Sequence, residues 1–228
     1  AGTLLNNGGL MKSFEKLLQA IVDAKNSGRL DRIKRLTRRS PAIDEFDDID
    51  DLNITTLGPV PANSTGPCQY DWFDDESHTI NGHSIVLRFE YGNRSFLLGG
   101  DLNTPAEDHL LNKIDNDLLC VDVAKACHHG ASEFTIDFKK AVNPYATIFS
   151  SGDNENYAHP RADALGCAGR YSRGDRPLIF STELARSFKS GDEIHYGLIN
   201  CRSDGDKIVL AKMFEKSRKG DMWDSYEI

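Results

Sequence analysis

The chain has 228 residues, 39% of them hydrophobic and 27% charged, so it belongs with ordinary globular proteins and can bury a substantial core. Its 35 acidic residues outweigh 27 basic ones, for a net charge of −8. That argues against a surface gripping long nucleic acid through clustered Lys and Arg, although a local basic groove stays open.

The elements follow in chain order. "GGLMKSFEKLLQAIVDAKNSG" places apolar residues at Leu10, Phe14, Leu17, Leu18, Ile21 and Val22, the spacing of a helix with one buried face, and Gly28 is its expected stop. The basic stretch "RLDRIKRLTRRS" is a candidate continuation of that helix, and "DEFDDIDD" is an acidic run; both read as solvated charge blocks in an insertion. Pro, Gly, Asn and Ser from Leu57 to Pro67 mark a loop. "HSIVLRFEYGNRSFLLGGD" alternates with a period of two, turns at "YGNR" and returns as a short apolar strand, which is a β-hairpin. In "NTPAEDHLL", Thr104 is the expected N-cap, with Pro105 at the first helical position and Glu107 completing a capping box. "LLCVDVAKA", "YATIFSS" and "PLIFST" are further strands, and "DEIHYGLINCRSDGDKIVLAKMF" reads as a closing hairpin around Asp204 and Gly205. Strands interleave with helices, so the fold class is α/β, or a layered α+β arrangement with mixed sheets. No run approaches the ~20 apolar residues of a membrane span, and no signal-peptide core opens the chain. The five cysteines are odd in number and lack C-x-x-C spacing, so free thiols and a cytoplasmic location are expected.

Three chemistry-bearing positions fall where an apolar strand ends and a turn begins: Asp101 after "LLGG", His128 and His129 after "CVDVAKAC", and His159 in "NENYAHP". Adjacent histidines cannot both enter one core from an extended strand, because neighbouring side chains leave on opposite faces. At the rim of an α/β sheet, where ligands bind, the pair makes sense. Carboxylate and imidazole suit zinc, manganese or iron.

"NGHSIVLRFEYGNRSFLLGGDLNTPAEDHLL", "VDVAKACHHGAS" and "NENYAHP" together resemble the metallo-β-lactamase superfamily, in the branch typified by the hydrolase domain of the DNA-uptake protein ComEC. The resemblance runs from about Asn81 to about Leu165, and more loosely to the last hairpin. It implies an αββα sandwich with one or two divalent ions, zinc or manganese, along one edge of the sheets. It further implies that Asp101 is the carboxylate bridging two metals and that His159 is the last metal-binding His. One of His128 and His129, with His128 the candidate, would then be a metal ligand, or else a substrate contact. Both are candidate catalytic groups, and Ser132 and Asn156 are the expected substrate contacts. The reaction implied is hydrolysis of a phosphodiester, either a small nucleotide or nucleic acid.

The sequence also departs from that pattern. "GGD" stands for T-G-D, Ala131 stands at the usual Ser with Ser132 one step late, and Ala158 stands at the usual Gly. Gly8-Gly9-Leu10 matches the helix start that follows the family's H-x-H-x-D-H motif, but no His lies upstream of His78. The chain therefore reads as one metallo-β-lactamase-like domain, residues 1–56 forming a helix and charged insertion and 57–228 carrying the site motifs. Its partner would be the missing N-terminal half of the same fold. Two alternatives stand: a fragment of an active hydrolase, or a degenerate, metal-free binding or scaffold domain. A Cys-His hydrolase built on Cys127 is disfavoured because adjacent side chains diverge, and G-x-S-x-G is absent. His78, His83, His109 and His195 are expected at the surface or in satisfied positions.

Overall fold

The computed structural model describes residues 12–152, 157–182, 198–213 and 223–228. The chain divides into two units, Ala1–Arg35 and Leu36–Ile228. In the first, helix α1 spans Lys12–Asn26, with Glu15 in its first turn and Lys25 in its last, charges that complement the helix dipole. Gly28, at φ +71°, ends it as the sequence predicts. The basic stretch beyond does not extend the helix: glycine's left-handed backbone has already turned the chain away.

The second unit holds the expected strands, together with strands at Leu52–Gly58 and Trp223–Glu227 and a helix at Glu76–Gly82 that the sequence reading did not name. Strands β1 (Leu52–Gly58), β2 (Val86–Tyr91), β3 (Arg94–Leu98), β4 (Val123–Lys125), β5 (Ala146–Phe149) and β6 (Leu178–Ser181) form one mixed sheet in that order. The first three pair antiparallel, with Phe89 opposite Phe96 across the predicted hairpin. From β3 to β6 the pairing is parallel. Parallel neighbours need crossovers, which α3 (Thr104–Lys113), α4 (Ile136–Val142) and α5 (Ala162–Arg170) supply; α2 (Glu76–Gly82) precedes the hairpin. A second, antiparallel sheet contains β7 (Ile199–Ser203), β8 (Ile208–Met213) and β9 (Trp223–Glu227). Its β7–β8 hairpin is the one read from the sequence.

Alternation along the central strands sorts two cores. Leu97 and Ala124 face Leu102, Ala106, Leu110, Phe138 and Val142 of the helical layer. Their neighbours Phe96 and Val123 join Ala146 and Phe180 against Ile208 and Leu210 of β8. The described residues thus make three layers: helices, large sheet, small sheet. All five cysteines are free thiols, and no described helix is long and apolar enough to cross a membrane.

Two local expectations change. Leu57 lies inside β1 and is fully buried, so the loop starts after Gly58. The N-cap of α3 is Asn103, whose Oδ1 accepts from the Ala106 N–H, and not Thr104. That moves Glu107 out of the capping position and into the interior, where it is fully buried. Its Oε2 accepts the Thr135 N–H at 2.5 Å, and Oε1 lies 3.7 Å from Lys139 Nζ, so it binds α3 to the start of α4.

Burial raises the Glu107 carboxyl from its ordinary 4.5 to about 7, against the opposing pull of Lys139. Between those values the folded chain holds a proton that the unfolded chain has released. Stability therefore falls as pH rises through that window, by roughly 3 kcal/mol from this group. Glu107→Gln keeps an acceptor for Thr135 and removes the titration. Urea unfolding at pH 5 and pH 8 should show a smaller loss in Glu107→Gln than in the wild type; equal losses would contradict the assignment.

Candidate active site

The site is assembled from three consecutive strand ends. After β3 the chain turns through Gly99 and Gly100, and the Asp101 N–H donates to Ser84 Oγ at 3.0 Å. A Cβ on Gly99 would sit 2.4 Å from Cys127 Sγ, so the β3 and β4 ends touch there. Cys127 is buried, and burial pushes its thiol up to about 11. A buried thiol held away from ionisation is poorly suited to act as a nucleophile, which adds to the case against the Cys-His hydrolase reading.

After β4 the backbone enters an unusual turn. His128 (φ 47°, ψ 42°) and His129 (φ 56°, ψ 14°) are both left-handed, and Gly130 follows at φ +85°. That region costs an ordinary residue roughly 1–2 kcal/mol, so the surroundings must enforce it. The His128 N–H donates to Gly100 O at 3.0 Å, the Arg161 N–H to Gly130 O at 2.8 Å, and the Ala131 N–H to His128 O at 2.9 Å. His129 Nδ1 lies 2.5 Å from Ser150 O, beyond β5. Because a carbonyl only accepts, that nitrogen carries the hydrogen, and Nε2 is the ring atom left to face other groups.

The turn sends the two imidazoles apart, as expected of neighbours. His129 Nε2 lies 3.5 Å from Asp101 Oδ1. His128 instead meets His159 edge-on, with ring centroids 5.8 Å apart, and its buried Nδ1 has no hydrogen-bond partner among the described residues. The buried His159 ring lies nearly parallel to His129 at 6.4 Å and stacks with Tyr157 at 5.8 Å. Ser132 Oγ donates to Asp163 Oδ1 at 3.0 Å beside the same cleft. Asn156, the other expected substrate contact, lies outside the described residues.

The cleft encloses about 440 Å³, and His78, His128, Tyr157, His159 and Arg161 are among its walls. Sequence reading gave His78 only as a surface or satisfied position and did not single out Tyr157 or Arg161. One signal was available: in "DESH", Asp75 caps α2 and His78 occupies the third helical position, a capping-box spacing with His in place of Glu.

Asp101 and His129 have the donor chemistry of a zinc or manganese site, with His129 oriented through its other nitrogen as ligand histidines are. They fit a cation as far as they go. Among the described residues no set of three or more His, Cys, Asp and Glu side chains gathers closely enough to hold one, whereas catalytic sites ordinarily use three protein ligands.

Fold and site together define an α/β protein with a carboxylate-imidazole cluster at the carboxyl ends of its parallel strands. No protein-family model matches the chain. It is similar to ComE operon protein 3 of Bacillus subtilis (strain 168), at 36% identity over 93 residues, covering 40% of this chain and 12% of that protein. It is also similar to Competence protein ComA of Neisseria gonorrhoeae, at 37% identity over 81 residues, covering 35% of this chain and 12% of that protein. Each match thus spans about an eighth of the relative's length.

A Cβ at Gly130 would meet Phe149 Cδ1 at 2.5 Å and Pro160 Cβ at 2.8 Å, in a backbone conformation that already disfavours it. Gly130→Ala should cost about 2–4 kcal/mol in chemical denaturation. Gly166→Ala, in open space on α5, should be neutral or stabilising by about 0.5–1 kcal/mol. A Gly130→Ala protein as stable as the wild type would show that the turn can relax.

Proposed function

We propose that this chain carries the site of a metal-assisted phosphodiester hydrolase of the ComEC type and that the parent protein serves DNA uptake in competence. The observation that carries this reading is the Asp101–His129 pair, a carboxylate oxygen facing an imidazole nitrogen whose far side is anchored to Ser150 O. Resemblance in the site motifs and similarity to two competence proteins support it.

Asp101 Oδ1 and His129 Nε2 would hold a zinc or manganese ion, with His159 behind them and at least one further ligand from outside the described residues. Such an ion, when bound, supplies Lewis acidity and makes hydroxide available near neutral pH, where free water has a pKa of 15.7 against about 7 for metal-held water. The protein's own groups do the rest. Gly100 O and Gly130 O fix the turn that aims His129, and Ser150 O fixes its tautomer. His128 lines the cleft, whereas His129 is the one beside Asp101; on this reading His128 contacts substrate and His129 is the ligand. Arg161, in the wall of the same cleft, would offer a guanidinium to a phosphoryl oxygen.

A second reading, a metal-free scaffold or binding domain, draws on the lack of a third donor among the described residues. Metal content and turnover separate the two. With added manganese or zinc the protein should hydrolyse bis-p-nitrophenyl phosphate and leave a β-lactam largely intact. Asp101→Ala and His129→Ala should each weaken metal binding by at least about 10–100-fold, and His128→Ala should lower turnover while keeping metal. Full metal occupancy in Asp101→Ala would sink the assignment, and a wild type without metal or turnover would favour the scaffold.

A further inference from the structure

A second histidine-carboxylate pair is built on another element, with its histidine, His78, in the wall of the cleft. Asp75 performs two tasks at the start of α2: its Oδ1 accepts the His78 N–H at 2.7 Å, capping the helix, and its Oδ2 lies 2.8 Å from His78 Nδ1. The second contact pairs the imidazole with the carboxylate. On the other side of the ring, Nε2 is 3.5 Å from Glu133 Oε2. The backbone behind the ring is fixed as well, because Asn103 Nδ2 donates to His78 O at 2.9 Å. Asn103 is almost wholly buried, caps α3, and follows Asp101 by two residues. One side chain thus ties α2 to the loop that carries the candidate metal-binding carboxylate.

We propose that His78 is the proton donor to the leaving oxygen of the phosphodiester, with Asp75 as its positioning residue. The proposal rests on the hydrolase reading above and assigns a residue that neither the strand-end motifs nor the family resemblance marks. In the step, hydroxide oxygen forms a bond to phosphorus and the bond from phosphorus to the leaving oxygen breaks. The Nε2 proton passes to that oxygen, giving an alcohol. The neutral imidazole then recovers a proton from solvent water. Before substrate enters, Glu133 faces the Nε2–H; a phosphodiester in the cleft would take its place.

The surrounding charges suit an acid. The Asp75 carboxylate raises the imidazole above its ordinary range, burial opposes this, and the charges of Asp75, Glu133 and Asp74 add to the increase. Arg161, His128 and His159 line the same cleft as the groups that would oppose a positive ring. Geometry comes before pKa in such an assignment, and here Asp75, Asn103 and Glu133 constrain the ring and its backbone together.

The test varies the leaving group. p-Nitrophenolate leaves readily as an anion, whereas the alkoxide of a dinucleoside monophosphate needs a proton. His78→Gln should slow the dinucleoside monophosphate about 100-fold more than bis-p-nitrophenyl phosphate, and the alkaline limb of the dinucleotide pH profile should disappear. Asp75→Asn keeps the helix cap, since Asn caps as well as Asp, and should move that limb to lower pH. Circular dichroism establishes that both variants fold. Equal losses on the two esters with an unchanged pH profile would overturn the role of His78 and leave the hydrolase reading standing. A wild type that cleaves neither ester would overturn both.

Discussion

The site depends on one constraint, the left-handed turn at His128, His129 and Gly130. Two of its three residues are not glycine, so the conformation persists only because its neighbours enforce it. Gly100 accepts its first N–H, and Gly130 O accepts from Arg161 at its far end. The end of β3 and the start of α5 are thereby locked to the turn through main-chain atoms, and the end of β5 is tied to it by Ser150 O on the His129 ring. Main-chain bonds survive side-chain drift, which is why a carboxylate from one strand end and an imidazole from the next can meet at 3.5 Å.

Everything beneath the turn keeps the strand ends in register. Leu97 and Ala124 press the sheet against α3 and α4, while Phe96 and Val123 press its other face against β8. Glu107 adds a polar tie between α3 and α4. It is a costly choice for a buried position, since an ionised carboxylate there has lost its water. The local gain is specificity: the start of α4, which follows the Ala131–Glu133 segment lining the cleft, is joined to the helix that follows Asp101.

Much of this was legible in the sequence. Period-two alternation marked the first hairpin and the Asp204–Gly205 turn the second, and short apolar runs closed by Gly, His or Ser marked the parallel strands with their rim residues. What escaped were one-residue registers and three-dimensional partners. Thr104 and Asn103 are both good caps, and only packing chooses between them; that choice sent Glu107 inward. "HH" says that two imidazoles diverge but not which meets Asp101, because the answer lies in Ser150, more than twenty residues downstream. His78 was not singled out because Glu133 and most of the cleft it faces come from other elements, and only Asp75 lies on its own helix. The αββα sandwich and the metal implied by resemblance go beyond the three layers and two converging donors that the described residues supply.

The central claim is that Asp101 and His129 share a cation while His128 faces the cleft. Anomalous scattering at the zinc absorption edge, from crystals of the zinc-loaded protein, tests it most directly. The account predicts a peak in contact with Asp101 Oδ1 and His129 Nε2, with His129 Nδ1 still bonded to Ser150 O. A peak on His128, or no peak near Asp101, would contradict it.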